Sequence, residues 1–221
     1  MHSDPDPEIQ NLYGVKYWPH GQTATFRAPD NQLYDFTAYI GVHTVQVDKG
    51  DCAYWVSDDQ STALVQRGPT SIESVHLATV IRGYMPGDRQ ASLEVGTNLP
   101  YVNGCSTRQI FAPERLGDPT LQLLHIPPFS AEQAHHIHST VRVVLILSGK
   151  GQSVVGMEKR TVTQELLPGM VCILNPMCPH HFETPQGEPL VVLPLHIFSS
   201  VGPVEQAHPM FHGTHMMQQG Q

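Results

Sequence analysis

Nineteen prolines and eighteen glycines cut this chain into short apolar runs, and helical periodicity is scarce. Proline lacks the amide hydrogen that a central strand needs, and glycine supplies tight turns. Runs punctuated in this way read as the strands of a sandwich or barrel. The expected strands include Thr23–Arg27, Leu33–Val47, Ala53–Ser57, Ser74–Ile81, Ser106–Phe111, Leu121–Ile126, Ala134–His138, Val141–Leu147, Met170–Leu174, His180–Glu183 and Leu190–Phe198. Asp48-Lys49-Gly50-Asp51, Met85-Pro86-Gly87-Asp88 and Ser148-Gly149-Lys150-Gly151 are turns. The only helix expected is a short turn within the first twelve residues. The fold class is all-β.

One strand also predicts how the sheets stack. In Val141–Leu147, Val143, Leu145 and Leu147 occupy one face, and Val144 and Ile146 follow Arg142 on the other. A strand apolar on both faces needs cover on both. With 221 residues the chain can bury a sizeable core. The strand-rich first hundred residues, or a second copy of the chain, can supply the outer cover; a homodimer with an N-terminal β-extension is expected. The organisation expected is an N-terminal arm (1–18), a β-rich extension packed on the barrel (19–105), the barrel (106–200), and a His/Met-rich tail (201–221).

Charge narrows the partners. Twelve Lys+Arg against twenty Asp+Glu give a formal charge of −8 with no long single-sign run, which argues against nucleic acid and anionic membranes. The N-terminus, Met1-His2-Ser3-Asp4-Pro5-Asp6-Pro7-Glu8, is acidic and has no apolar core of a signal peptide, and apolar runs are far shorter than a bilayer span. A cytoplasmic location is expected, so Cys52, Cys105, Cys172 and Cys178 are read as reduced thiols.

The densest chemistry lies in 136–183. His136 and His138, at i and i+2, share one face of a strand. His180, from a distant strand, completes a set of three imidazoles that leaves other positions on a metal open. Zinc, iron, nickel and copper all accept such ligands. His135 and His181 have the opposite parity and are expected to point away, although a register shift of one would exchange His180 for His181.

These residues resemble the cupin family. Its first motif, G-x5-H-x-H-x3–4-E-x6-G, maps onto Ser130, His136, His138, Arg142 and Gly149. The second, G-x5-P-x-G-x2-H-x3-N, maps onto Gly169, Asn175, Met177, His180 and Thr184. The histidines and two glycines match. Ser130, Arg142, Asn175, Met177 and Thr184 replace the family's first Gly, its Glu and the second motif's Pro, Gly and Asn. Covering about residues 106–200, the resemblance implies a double-stranded β-helix, or jelly roll, with a metal inside the barrel mouth. The 19–105 segment would then be an extension or a degenerate second cupin half.

The missing carboxylate matters electrostatically. Three neutral imidazoles leave a divalent ion its full charge, and Arg142 shares the parity of the ligands. Two cations in a partly desolvated pocket call for an anion between them. Arg142 is therefore a candidate clamp for an anionic substrate, unless a bulge turns it outward or it pairs with Glu132 or Glu183. His125 and His196, within apolar strands, are candidate general bases or positioning donors; Tyr84, Tyr101, Trp18 and Trp55 can wall a pocket. One divalent metal is expected, Fe(II) ahead of Zn, Ni, Mn or Cu. The function expected is a mononuclear cupin enzyme on a small anionic molecule, of Fe(II) dioxygenase type. A non-redox lyase, isomerase or cyclase, a ligand-sensing cupin, and a metal-handling protein using His208, His212, His215, Met216 and Met217 stay open.

Overall fold

A computed structural model of the chain describes residues 7–29, 35–73, 75–83, 87–113, 118–197 and 214–216. A short helix, α1 (Pro7–Tyr13), opens it. In the first half follow β1 (Val15–Trp18), β2 (Ala24–Arg27), β3 (Phe36–Ile40), β4 (Thr44–Val47), β5 (Asp51–Ser57), β6 (Thr62–Arg67), β7 (Thr70–Glu73), β8 (Val75–Arg82), β9 (Arg89–Ser92) and β10 (Leu99–Pro100). The second half holds β11 (Ser106–Phe111), β12 (Thr120–Ile126), β13 (His136–His138), β14 (Val141–Gly149), β15 (Gly151–Met157), β16 (Arg160–Leu166), β17 (Val171–Leu174), β18 (His180–Glu183), β19 (Leu190–Ile197) and β20 (Thr214–Met216).

Two antiparallel sheets enclose the barrel. One has seven strands in the order β1-β17-β14-β19-β12-β11-β10, the other five in the order β16-β15-β18-β13-β20. Between them lies an apolar core that includes Leu124, Ile126, Val144, Ile146, Val155, Cys172, Leu174, Phe182 and Val192. This is the all-β jelly roll expected. The segment before it folds as a six-stranded sheet, β2-β3-β8-β5-β6-β9, with the two-stranded β4-β7 sheet on its far side. Phe26, Phe36, Ile40, Tyr54, Val65 and Ile81 of that sheet share a second core with Leu121, Val143, Leu145, Leu193 and Leu195 from the outer face of the seven-stranded sheet. The two apolar faces of β14 thus enter two different cores, as its pattern requires.

Several strand expectations change. The run Leu33–Val47 breaks into β3 and β4 at Gly41, whose φ of +60 turns the chain. Ala134 and His135 lie outside β13, because the Ala134 carbonyl accepts a bond from the His136 ring instead of a ladder amide. Val15–Trp18, which the sequence places in an N-terminal arm, pairs antiparallel with β17 and forms an edge of the barrel sheet. Leu33, Tyr84, Met85, Pro86 and the tail outside 214–216 lie outside the described residues. The four cysteines are buried free thiols. Among the described residues no helix is long and apolar enough to cross a membrane.

Candidate metal centre

Two registers build the site. On the five-stranded sheet His136 pairs directly with His180, and His138 follows two residues on, so all three rings emerge on the inner face. Their ring centroids are 4.5 Å (His136–His138), 4.7 Å (His136–His180) and 5.3 Å (His138–His180) apart. One nitrogen from each lies within 4.8 Å of the others, and all three residues are buried.

The hydrogen bonds fix which nitrogen is available. His136 Nδ1 donates to the Ala134 carbonyl at 2.9 Å, and His180 Nδ1 donates to the Cys178 carbonyl at 2.8 Å. Each Nε2 therefore keeps its lone pair and faces inward, the arrangement in which an outer hydrogen bond orients a metal-ligating imidazole. His136 Nε2 stands 2.8 Å from His138 Nε2. Burial lowers the His136 pKa to about 3, with Arg142 adding to it. Burial, then His136 and Arg142, holds His180 well below its ordinary value. Three converging imidazole nitrogens, with His136 and His180 held neutral, are what a divalent cation needs, so this set fits a metal.

His135 and His181 turn to the outer side. Their Nδ1 atoms are 2.9 Å apart, His135 Nε2 bonds the Gly156 carbonyl, and His181 Nε2 reaches Glu183 at 3.4 Å. The ligand strand is thus in the register that keeps His180 inside.

Opposite the triad, the seven-stranded sheet presents a polar end. Arg142 pairs across β14/β19 with His196, and His196 pairs across β19/β12 with Thr120. Arg142 is buried, so the outward-facing alternative does not hold. Its guanidinium donates to His196 Nδ1 at 3.3 Å, and the His196 ring lies 6.4 Å from that of His138. Burial lowers the Arg142 pKa to about 9, while Glu132 and Tyr101 work to raise it; the group stays cationic at neutral pH. Glu132 is fully buried, accepts the Phe182 amide at 3.1 Å, and is raised to about 7 by burial against the pull of Arg142 and that amide. Of the two acidic neighbours considered for Arg142, Glu132 is the electrostatic partner; Glu183 belongs to His181.

His125 does not join the site. It has the parity of Leu121 and Leu123, whose side chains enter the outer core, and lines a groove with Asp59, Gln60 and Glu94. Of the aromatic candidates, Tyr101 packs at the inner core, Trp18 stacks edge-on to Phe26, and Trp55 bonds Gln66. Sequence reasoning passed over Gln122, a buried amide on the inner face of β12. Its signal was a glutamine set between apolar residues in Leu121-Gln122-Leu123-Leu124.

Residues 130–197 match the AraC-like ligand binding domain family. Across 81% of this chain and 84% of the other, the fold is similar to that of protein Ylba from E. coli, with 11% identity and a TM-score of 0.53. A cupin-like protein from Thermotoga maritima aligns over 51% of this chain and 91% of its own, with 14% identity and a TM-score of 0.42. In fold, the barrel of this chain is similar to cupin barrels. The polyketide cyclase RemF from Streptomyces resistomycificus aligns with this chain at 19% identity over 47% of this chain and 73% of the other, TM-score 0.38. No curated protein matches the sequence.

Two departures from the cupin motifs compensate one another. Ser130 and Thr184 are joined through the Thr184 amide to the Ser130 carbonyl (2.8 Å) and the Ser130 amide to Thr184 Oγ1 (3.0 Å). Both matched glycines, Gly149 and Gly169, have φ of +80, and a Cβ at Gly149 would fall 1.8 Å from the Pro189 carbonyl oxygen. The cupin spacing is thus kept by backbone geometry at the turns.

Proposed function

We propose that the chain is a mononuclear metal-dependent cupin enzyme acting on a small anionic organic molecule, with Fe(II) as the ion and dioxygenase-type chemistry. The observation that carries the reading is the buried His136, His138 and His180 set, whose ligand nitrogens converge within 4.8 Å, with a buried cation, Arg142, on the facing sheet. No carboxylate joins those three within ligand distance among the described residues. An ion held there keeps its full charge, and an anionic group on the substrate is the natural counter-charge. A bound divalent ion would supply a Lewis-acid centre and, as iron, one-electron chemistry with oxygen.

The chain's own groups divide the remaining work. Arg142 sets the potential of the pocket and orients His196, and the apolar residues Val144, Ile146, Phe182 and Val192 exclude water from the floor. Glu132, poised near neutrality, favours a second reading, a non-redox lyase, isomerase or cyclase in which it moves a proton. The match to a ligand-binding family favours a third, recognition without turnover. The doubly covered β14 needs no second subunit for its own burial, so a homodimer remains a proposal tested by solution mass.

Protein purified without added metal distinguishes the readings. Iron at one equivalent supports oxygen chemistry, zinc or nickel supports Lewis-acid chemistry, and no metal supports recognition alone. His138→Ala should abolish stoichiometric binding and leave the far-ultraviolet spectrum unchanged. Full metal retention in that variant would overturn the ligand assignment.

A further inference from the structure

Beside the imidazole set, the inner face of the seven-stranded sheet carries polar atoms that the metal chemistry does not use. Gln122 is 0% exposed, and neither its Oε1 nor its Nε2 has a hydrogen-bond partner. The hydroxyl of Thr140 is likewise buried and unmatched, and so is His196 Nε2. A buried amide with both ends unmatched is costly to fold around, and native chains retain such groups where something else completes them.

Register puts these residues together on the inner face of the seven-stranded sheet. Thr120 pairs with His196, and His196 with Arg142. Gln122 follows Thr120 by two residues and therefore shares its face, a diagonal neighbour of His196 at about 7–8 Å. Thr140 precedes Arg142 by two. Leu124 and Ile126, further along β12, have the same parity and enter the inner core, so Gln122 points into the barrel.

Chemistry fixes what each atom asks for. A guanidinium can only donate, so the Arg142 bond makes His196 Nδ1 an acceptor. An Nδ1 that accepts carries no proton of its own, so the ring is the neutral tautomer. Its single proton must then sit on Nε2, which becomes a donor without an acceptor. Gln122 offers one acceptor and a donor pair side by side, and its complement is a group that can both accept and donate. Arg142 acts here as a positioning residue for His196.

We infer that Gln122, Thr140 and the Nε2–H of His196 form a recognition subsite for a small carboxylate that also bears a hydroxyl group. The carboxylate part of this class rests on the proposed metal centre; the hydroxyl part rests on the unmatched atoms alone. A site built to bond a hydroxyl discriminates strongly against the analogue without it.

The test uses the full chain loaded with zinc, with glycolate and acetate as probes in titration calorimetry. Glycolate should bind at least tenfold more tightly than acetate and should shift the His196 Nε2 signal in nitrogen-15 spectra. Gln122→Leu, close in shape and apolar, should erase that tenfold preference, keep one zinc per chain, and raise the melting temperature because the unmatched amide is gone. Equal affinity for the two probes in the wild type, or an undiminished preference in Gln122→Leu, would overturn the subsite. Should Gln122→Leu fail to fold, the wild-type preference and the His196 signal decide alone. A glycolate preference that survives in metal-free protein supports the subsite and counts against the metal's part in substrate binding. Intact zinc binding without the preference sinks the subsite and leaves the metal centre standing.

Discussion

At the scale of single residues, the turn before His180 concentrates the departures from the family pattern. Met177 occupies a position where the cupin motif has glycine, with a φ of +63 and 56% exposure. The left-handed region is unfavourable for a side chain with a Cβ. Its amide nonetheless donates to the His138 carbonyl at 2.7 Å, tying the two ligand segments together. Met177→Gly should therefore raise stability by about 1 kcal/mol, less the entropy that glycine adds to the unfolded chain; urea unfolding reads it, and a loss of stability would mean that Met177 packs usefully. The three ligands were legible at this scale because i,i+2 parity and motif spacing each act locally. Gln122 was not sought, since a lone glutamine in an apolar strand is ordinary until its neighbours are known to leave it unmatched.

At the scale of strands, legibility follows from how many faces a strand buries. β14 announced its two cores in its own sequence, because both parities are apolar. For β12 and β19 the same property hid the answer. With leucines on both faces, nothing local says whether His125 or His196 looks inward, and only the pairing of Thr120 with His196 settles it. β1 escaped notice because Val15–Trp18 is a four-residue edge strand whose role depends on β17. These shared surfaces make a prediction about dissection. Residues 106–200 alone would expose Leu121, Val143, Leu145, Leu193 and Leu195 and leave β17 without its edge partner. That fragment should aggregate or bind hydrophobic dyes without a cooperative urea transition. A sharp transition with native metal affinity would show that the barrel stands alone.

For the whole molecule, the buried titrating groups set the acid limit. His136, His180 and His196 have pKa values depressed in the folded state, so they take up protons on unfolding once the pH falls below about 6.5. Their contribution to stability is complete above that value and is lost as the pH falls. Glu132, raised to about 7, has the opposite sign: it favours the fold at low pH and loses that advantage as the pH rises from about 4.5 to 7. These four groups alone leave a net uptake of about two protons near pH 5, a slope of roughly 3 kcal/mol per pH unit in metal-free protein, and His76 and His181, also lowered, add to it in the same direction. Urea titrations between pH 6 and 4 measure it. A flat profile would mean that the histidines are already solvated in the fold, and Glu132→Gln should steepen the slope.

The C-terminal strand gives the barrel a property of a different kind. β20 adds to the free side of β13, with His136 opposite Met216 and His138 opposite Thr214. A three-residue strand held at a sheet edge opens at little cost compared with global unfolding. Its docking and the loading of His136 and His138 draw on the same short strand, so each must strengthen the other by an equal free energy. Amide exchange at 214–216 should therefore slow when metal is added, which makes the last of the described strands a built-in reporter of occupancy more than thirty residues beyond the last ligand.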